Sequence, residues 1–288
     1  MTDQGIQIED WPELKNPFLI AGFGGWGNAL NISKGMTGFL RRELKARRFA
    51  KINSDLFYRY DETRPHVKIE DGDLKRITPP GGSFYAVPTT PGQRDLVILE
   101  ADEPSLKWYS FTSELMALSE RLGVKIIISL GSMWDNVLHT DRIVSGIASN
   151  EEHRTQLKQK NIISIDYQGP SAIHTLIFAE GQNKGFHNIS LWCHCPYYLN
   201  RTTHFGMLSH LGRLLSIIGG FELDTAELDQ GWEALSIQIQ EVIEKDPKLQ
   251  AMISELRKAK LRGSFESMQA STQRSDKVIN LQDFLDPK

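Results

Sequence analysis

The chain has 288 residues, 33 Lys and Arg against 36 Asp and Glu, a formal charge of −3, and 40% hydrophobic and 24% charged residues. This is the balance of a globular chain, without the surplus of positive charge from which non-specific nucleic-acid affinity comes, so no nucleic-acid partner is expected. No 18 apolar residues run together, the first fifteen residues are acidic with no apolar stretch, and two cysteines are too few for a disulfide framework, so the reading is of a cytoplasmic protein with no membrane partner.

The first strand is predicted over 17–23, an apolar run that stops at Gly22, Gly24, Gly25 and Gly27. A helix follows, with Asn28 as its expected N-cap, Ile32, Met36, Phe39, Leu40 and Leu44 at helical spacing, and Lys45, Arg47 and Arg48 closing its last turn. Shorter polar strands are predicted near 56–60, 66–70 and 83–87, as hairpins or edge strands. Residues 95–100 (DLVILE) read as a buried strand, 107–122 as an amphipathic helix, and 124–130 (VKIIISL) as another buried strand, which makes a parallel crossover. Strands over 142–147, 162–165 and 189–194 alternate with helices over 151–159 and from 171, and three helical stretches (202–218, 224–244, 247–262) close the pattern.

The expected fold is therefore α/β: a three-layer α/β/α core with a mainly parallel sheet and helices on both faces, plus a C-terminal helical extension. The core domain is placed at 1–222, the extension at 223–262 and a flexible tail at 263–288. In the extension, Leu249, Ile253 and Leu256 form an apolar stripe that suits either the chain's own domain or a partner.

Gly22, Gly24 and Gly27 satisfy G-x-G-x-x-G between a strand and a helix, but Arg47 and Arg48 stand where a dinucleotide site wants an acid, and Trp26 crowds the loop. No cofactor is expected. Free N–H groups and the helix dipole still make Gly24, Gly25, Trp26, Gly27 and Asn28 the candidate ligand-binding loop, with an anion as its ligand. The carboxyl ends of the strands also supply Ser132, His139 and Asp141, with Asp135 nearby, as an alternative nucleophile, base and orienting acid, although Ser132 lacks the G-x-S-x-G elbow. In Cys193-His194-Cys195 a strand puts the two thiols on one face and the imidazole on the other, so no metal site is expected.

The stretch 19–29, LIAGFGGWGNA, resembles the opening signature of the proteasome assembly chaperone 2 family, whose prokaryotic members carry a similar Gly-Trp-Gly-Asn turn. The segment 169–185 followed by 190–198, with Leu191-Trp192 and Pro196-Tyr197, and the helical stretch to about residue 257 are similar to later blocks of that family, in the same order. The resemblance implies a nucleoside-phosphorylase-like core, a homo-oligomer, often a trimer, and no established catalytic activity. Eukaryotic relatives act as chaperones in assembling the proteasome α-ring, which makes proteasome-type subunits the implied protein partners. The chain ends Leu285-Asp286-Pro287-Lys288, a departure from the hydrophobic-Tyr-Xaa tail through which some archaeal relatives dock. The function read from the sequence is that of a non-catalytic, self-associating interaction protein, for which Trp26, Trp134 and Tyr197 are candidate aromatic anchors. The alternative is a phosphorylase- or hydrolase-like enzyme, or a small-molecule or nucleotide binder, working through the loops at the carboxyl ends of the parallel strands.

Overall fold

The computed structural model describes residues 5–89, 93–200 and 202–261. Within them, ten strands and eight helices follow in the order β1 (Ile6–Ile8), β2 (Phe18–Gly24), α1 (Ile32–Glu43), β3 (Arg47–Ile52), α2 (Ser54–Phe57), β4 (His66–Glu70), β5 (Asp73–Thr78), β6 (Gly82–Val87), β7 (Leu96–Asp102), α3 (Trp108–Arg121), β8 (Ile126–Asp135), β9 (Val144–Ala148), α4 (Glu151–Gln159), α5 (Ile173–Asn183), β10 (His187–Pro196), α6 (Phe205–Gly219), α7 (Ala226–Lys245) and α8 (Pro247–Leu261). One eight-stranded sheet runs β1-β3-β6-β7-β2-β8-β10-β9. Its four central strands, β7, β2, β8 and β10, are mutually parallel, and the outer strands run antiparallel to their neighbours.

Alternation along the central strands explains the three layers. Phe18 and Ile20 of β2, Leu96 and Ile98 of β7, and Ile126, Ile128 and Leu130 of β8 face one apolar core, shared with α1 and α6 to α8. Leu19, Ala21, Phe23, Val97, Leu99 and Ile127 face the other, shared with α3 and α5. Such strands are buried on both faces, which is why they read as unbroken apolar runs. The stripe Leu249 and Ile253 of α8 is buried in the first core, with Leu256 packed against it. Cys193 and Cys195 also share that core and are free thiols, the Cys193 thiol pushed up to about 12 by burial.

Several elements differ from expectation. Residues 56–60 are not a strand: Asn53 Oδ1 accepts from the Asp55 amide (3.3 Å) and starts the helical turn α2 instead. Arg47 and Arg48 do not close α1 but open β3, where they pair with Asp10 and Glu9 beyond the edge strand β1. Of the strand predicted at 162–165 only a single bridge, Ser145 to Ile163, forms. The tail predicted from residue 263 lies outside the described residues.

Three of the buried imidazoles are lowered far below their ordinary value. Burial lowers His139 to about 4, helped by Arg257 and Arg142, lowers His174 to about 4, and lowers His204 to about 3, with Arg142 and His139 adding to it. Each is neutral in the fold and takes up a proton on unfolding below its ordinary value near 6.5. Stability is therefore complete above about pH 6.5 and falls as the pH drops towards 4, at up to about 1.4 kcal/mol per pH unit for each imidazole. Urea unfolding at pH 7 and pH 5 should show a loss of several kcal/mol at the lower pH; equal midpoints would contradict the burial of these rings as neutral species.

Candidate functional site

β2 stays paired with β7 as far as Gly24 and Asp102, but it leaves β8 after Gly22 and Leu130. The chain then makes an excursion over residues 25–27 and returns to β8, where Asn28 bridges Ser132 and the Ser132 amide donates to Gly27 O (2.8 Å). The parting exposes the Phe23 amide and the Leu130 carbonyl inside the protein. Ser33, in the first turn of α1, serves both, accepting from Phe23 N (2.9 Å) and donating to Leu130 O. His174 Nε2 donates to the same carbonyl (2.6 Å), which fixes its tautomer and leaves Nδ1 buried without a partner among the described residues. Ser33 reaches the strand because position 22 has no Cβ; one built there would lie 2.5 Å from Ser33 O and 2.7 Å from Thr37 Cγ2.

The loop is held on its outer side as well. The Glu103 amide donates to Gly24 O (2.7 Å), and the Glu103 carboxylate accepts from Trp26 N (3.3 Å) and from Ile173 N at the start of α5 (2.8 Å). Gly25, at φ 120°, makes the turn that leads into Trp26. The Glu103 carboxylate thus joins the loop to the N-terminus of α5. Beneath it, Lys34 Nζ pairs with Asp102 Oδ1 (2.5 Å). Asn28 is not the N-cap of α1: Asn31, in a left-handed conformation at φ 55°, holds that position, after a 3₁₀ turn over Ala29–Asn31. The Asn28 side chain caps from six residues away, its Oδ1 accepting from Lys34 N (3.2 Å) and its Nδ2 donating to Asn31 Oδ1 (2.9 Å).

What the loop offers to solvent is the Trp26 side chain, 64% exposed. Tyr109, in the first turn of α3, and Tyr167, on the segment that leads into α5, are also exposed. Both helices start at the carboxyl edge of the parallel strands, so the three aromatic residues belong to one edge of the molecule. Trp134 and Tyr197 stack on each other, with ring centroids 6.0 Å apart.

The alternative catalytic residues are engaged separately. Ser132 is fully buried and its hydroxyl donates to Ala29 O (2.8 Å). His139 and Tyr198 bond twice, the tyrosine hydroxyl accepting from the His139 amide and lying 2.8 Å from Nδ1. Asp141 accepts from Leu138 N (3.0 Å) and pairs with Lys260 of α8. The sequence reading missed a different array: Asp135 Oδ2 lies 2.6 Å from His194 Nδ1, and His194 Nε2 lies 2.9 Å from Ser145 Oγ. Carboxylate, imidazole and hydroxyl come in triad order, but the exposure is inverted, because Asp135 is the open end and Ser145 is fully buried. A nucleophile must be presented to its substrate, and this hydroxyl instead ties β9 to β10. His194 points away from the core that holds the two cysteines, as strand alternation requires.

Fold and loop together define a three-layer α/β protein that turns its strand-end polar groups inward and an aromatic side chain outward. The chain belongs to the PAC2 family, whose model matches residues 19–243. It is similar to a PAC2 family protein of Streptomyces avermitilis, at 26% identity and a TM-score of 0.72, over 82% of this chain and 99% of that one. It is also similar to a proteasome-assembly chaperone homologue of Mycobacterium tuberculosis, at 24% identity and a TM-score of 0.73, over 82% and 99%. A Corynebacterium glutamicum protein of unknown function shares the fold at 21% identity and a TM-score of 0.82, over 92% and 100%. No curated protein matches the sequence.

Two substitutions separate the supports of the loop. Gly22→Ala should lower the unfolding free energy by on the order of 2 kcal/mol, because the added methyl meets backbone that cannot yield. Glu103→Ala should cost about 1–2 kcal/mol by leaving two amides without their acceptor, with Glu103→Gln recovering part of the loss. Urea unfolding measures both, and wild-type midpoints would contradict the assigned contacts.

Proposed function

We propose that this protein is a non-catalytic, self-associating assembly chaperone that recognises protein subunits, of proteasome type, through the Trp26 edge. The observation that carries the reading is the conjunction at Trp26: an indole that is mostly exposed on a backbone bonded to Glu103, with Gly24 and Gly27 on either side also bonded. Binding surfaces draw on aromatic anchors, and an anchor ordered before contact loses less conformational entropy on binding. The PAC2 membership and the likeness to a proteasome-assembly chaperone homologue support this choice of partner class. Among the described residues no helix is long and apolar enough to cross a membrane, and a cytoplasmic site of action is part of the proposal.

The test is co-elution of the purified protein with the α-type proteasome subunits of its host, compared with Trp26→Ala. The wild type should co-elute and the variant should lose at least roughly tenfold in affinity while keeping its melting temperature within about 2 °C. Equal co-elution of both proteins would remove the Trp26 edge from the account, and no co-elution of either would remove the partner class.

A further inference from the structure

β2, β8 and β10 begin at Phe18, Ile126 and His187, and a cavity of about 520 Å³ lies at these strand starts, within the size range of small-molecule sites. The whole length of β2 separates it from the Trp26 loop. Its lining includes His153 of α4, His187 of β10, Arg94, Lys125, Glu152 and, from the end of α6, Ile217.

Positive charge is placed here by the sheet. The His187 amide donates to Lys125 O (2.9 Å), so the two residues start from adjacent points on neighbouring strands. Arg94 precedes Asp95, but the buried Asp95 carboxylate is taken up by the Lys15 and Thr89 amides (2.5 and 2.8 Å) and by the Thr89 hydroxyl (3.0 Å). The side chains of Arg94, Lys125 and Glu152 have neither hydrogen bond nor ion pair among the described residues. Two unpaired cations against one carboxylate favour an anion in the space between them.

Asn150, the N-cap of α4, decides what the two imidazoles can bond. Its Oδ1 accepts from the His153 amide (2.8 Å), which fixes which end of the side-chain amide faces α4. The same oxygen lies 2.8 Å from His153 Nδ1, so that nitrogen carries the proton. Asn150 Nδ2 lies 2.7 Å from His187 Nδ1, so that nitrogen carries the lone pair. His153 Nε2 is therefore an acceptor and His187 Nε2 a donor, neither with a partner among the described residues, on rings whose centroids are 5.6 Å apart. Burial first, then His187 and Arg94 against the opposing Glu152, hold His153 below its ordinary value, so it stays a neutral acceptor at pH 7. A metal ion would need a lone pair from each ring. One acceptor beside one donor suits instead a ligand that presents a hydroxyl beside an oxyanion.

We propose that this cavity binds a phosphate that carries a hydroxyl, either on the phosphorus, as in the free ion, or on the carbon chain of a small phosphate monoester. The oxyanion is held by Arg94, Lys125 and the His187 Nε2–H, and the hydroxyl donates to His153 Nε2. Glu152 accepts from a further hydroxyl where the ligand has one. The site is separate from the Trp26 edge and does not rest on the chaperone reading.

Isothermal titration calorimetry of the full chain at pH 7, in low salt and a phosphate-free buffer, tests this with inorganic phosphate, glycerol 3-phosphate and sulfate. Sulfate has the shape and charge of phosphate but no hydroxyl, and a site built to accept from one rejects an analogue lacking it. The wild type should bind inorganic phosphate or glycerol 3-phosphate saturably, at least roughly tenfold more tightly than sulfate, and the tighter of the two identifies the source of the phosphate. Arg94→Ala and His187→Ala should each weaken that binding at least roughly tenfold. Both residues are exposed, so both variants should keep the wild-type melting temperature within about 2 °C. Lys158→Ala, which removes an exposed charge of α4 outside the cavity, should bind as the wild type does. No saturable binding of either phosphate overturns the site. Binding that Arg94→Ala and His187→Ala both retain, or sulfate bound as tightly as phosphate, overturns it as well.

Discussion

Where two neighbouring strands of a buried sheet separate, a donor and an acceptor lose their partners inside the protein, at a cost of about 1–3 kcal/mol for each group left unpaired. β2 and β8 separate at Phe23 and Leu130, and the surface presented by this molecule follows from how those two groups are satisfied. Ser33 bonds to both, so α1 must lie directly on the strand, and only a residue without a side chain at position 22 allows that approach. His174 adds a second bond to Leu130 from α5, which brings a helix of the other layer to the same point. Both helix layers are thus fastened where the loop begins.

A loop anchored in this way has little backbone freedom left, yet its tryptophan remains in solvent. Around it, the polar groups that an enzyme would hold open are bonded internally: Glu103 to two amides, Ser132 to Ala29, His139 to Tyr198, Asp141 to Lys260. The Asp135–His194–Ser145 array repeats the pattern, with its hydroxyl at the sealed end. The chemistry-bearing side chains of this edge serve to hold the backbone still. Such a distribution suits recognition by shape and apolar contact, the basis of the proposed association.

How much of this was legible in the sequence depended on whether the signal was local. The apolar runs of β2, β7 and β8 and the glycine cluster marked a parallel α/β core, because strands covered on both faces have no polar alternation to disguise them. β3 was hidden by Arg47 and Arg48, which belong to a strand near the sheet edge and find their acids on the β1 side, far away in sequence. Asn28 was correctly a helix-capping side chain but wrongly the N-cap, since the left-handed residues Leu30 and Asn31 insert a turn that side-chain spacing does not reveal. Ser33, Glu103 and His174 gave no motif at all, because each acts on a backbone group brought to it only by the fold.

Amide hydrogen exchange of the free protein, read residue by residue, tests the central claim that the loop is a fixed platform. The account predicts that the amides of Phe23, Trp26 and Ser132, bonded to Ser33, Glu103 and Gly27, exchange at least roughly a hundredfold more slowly than in an unstructured chain. Exchange of the Trp26 and Phe23 amides at the rate of an unstructured chain would contradict it, because the indole would then sit on a loose loop.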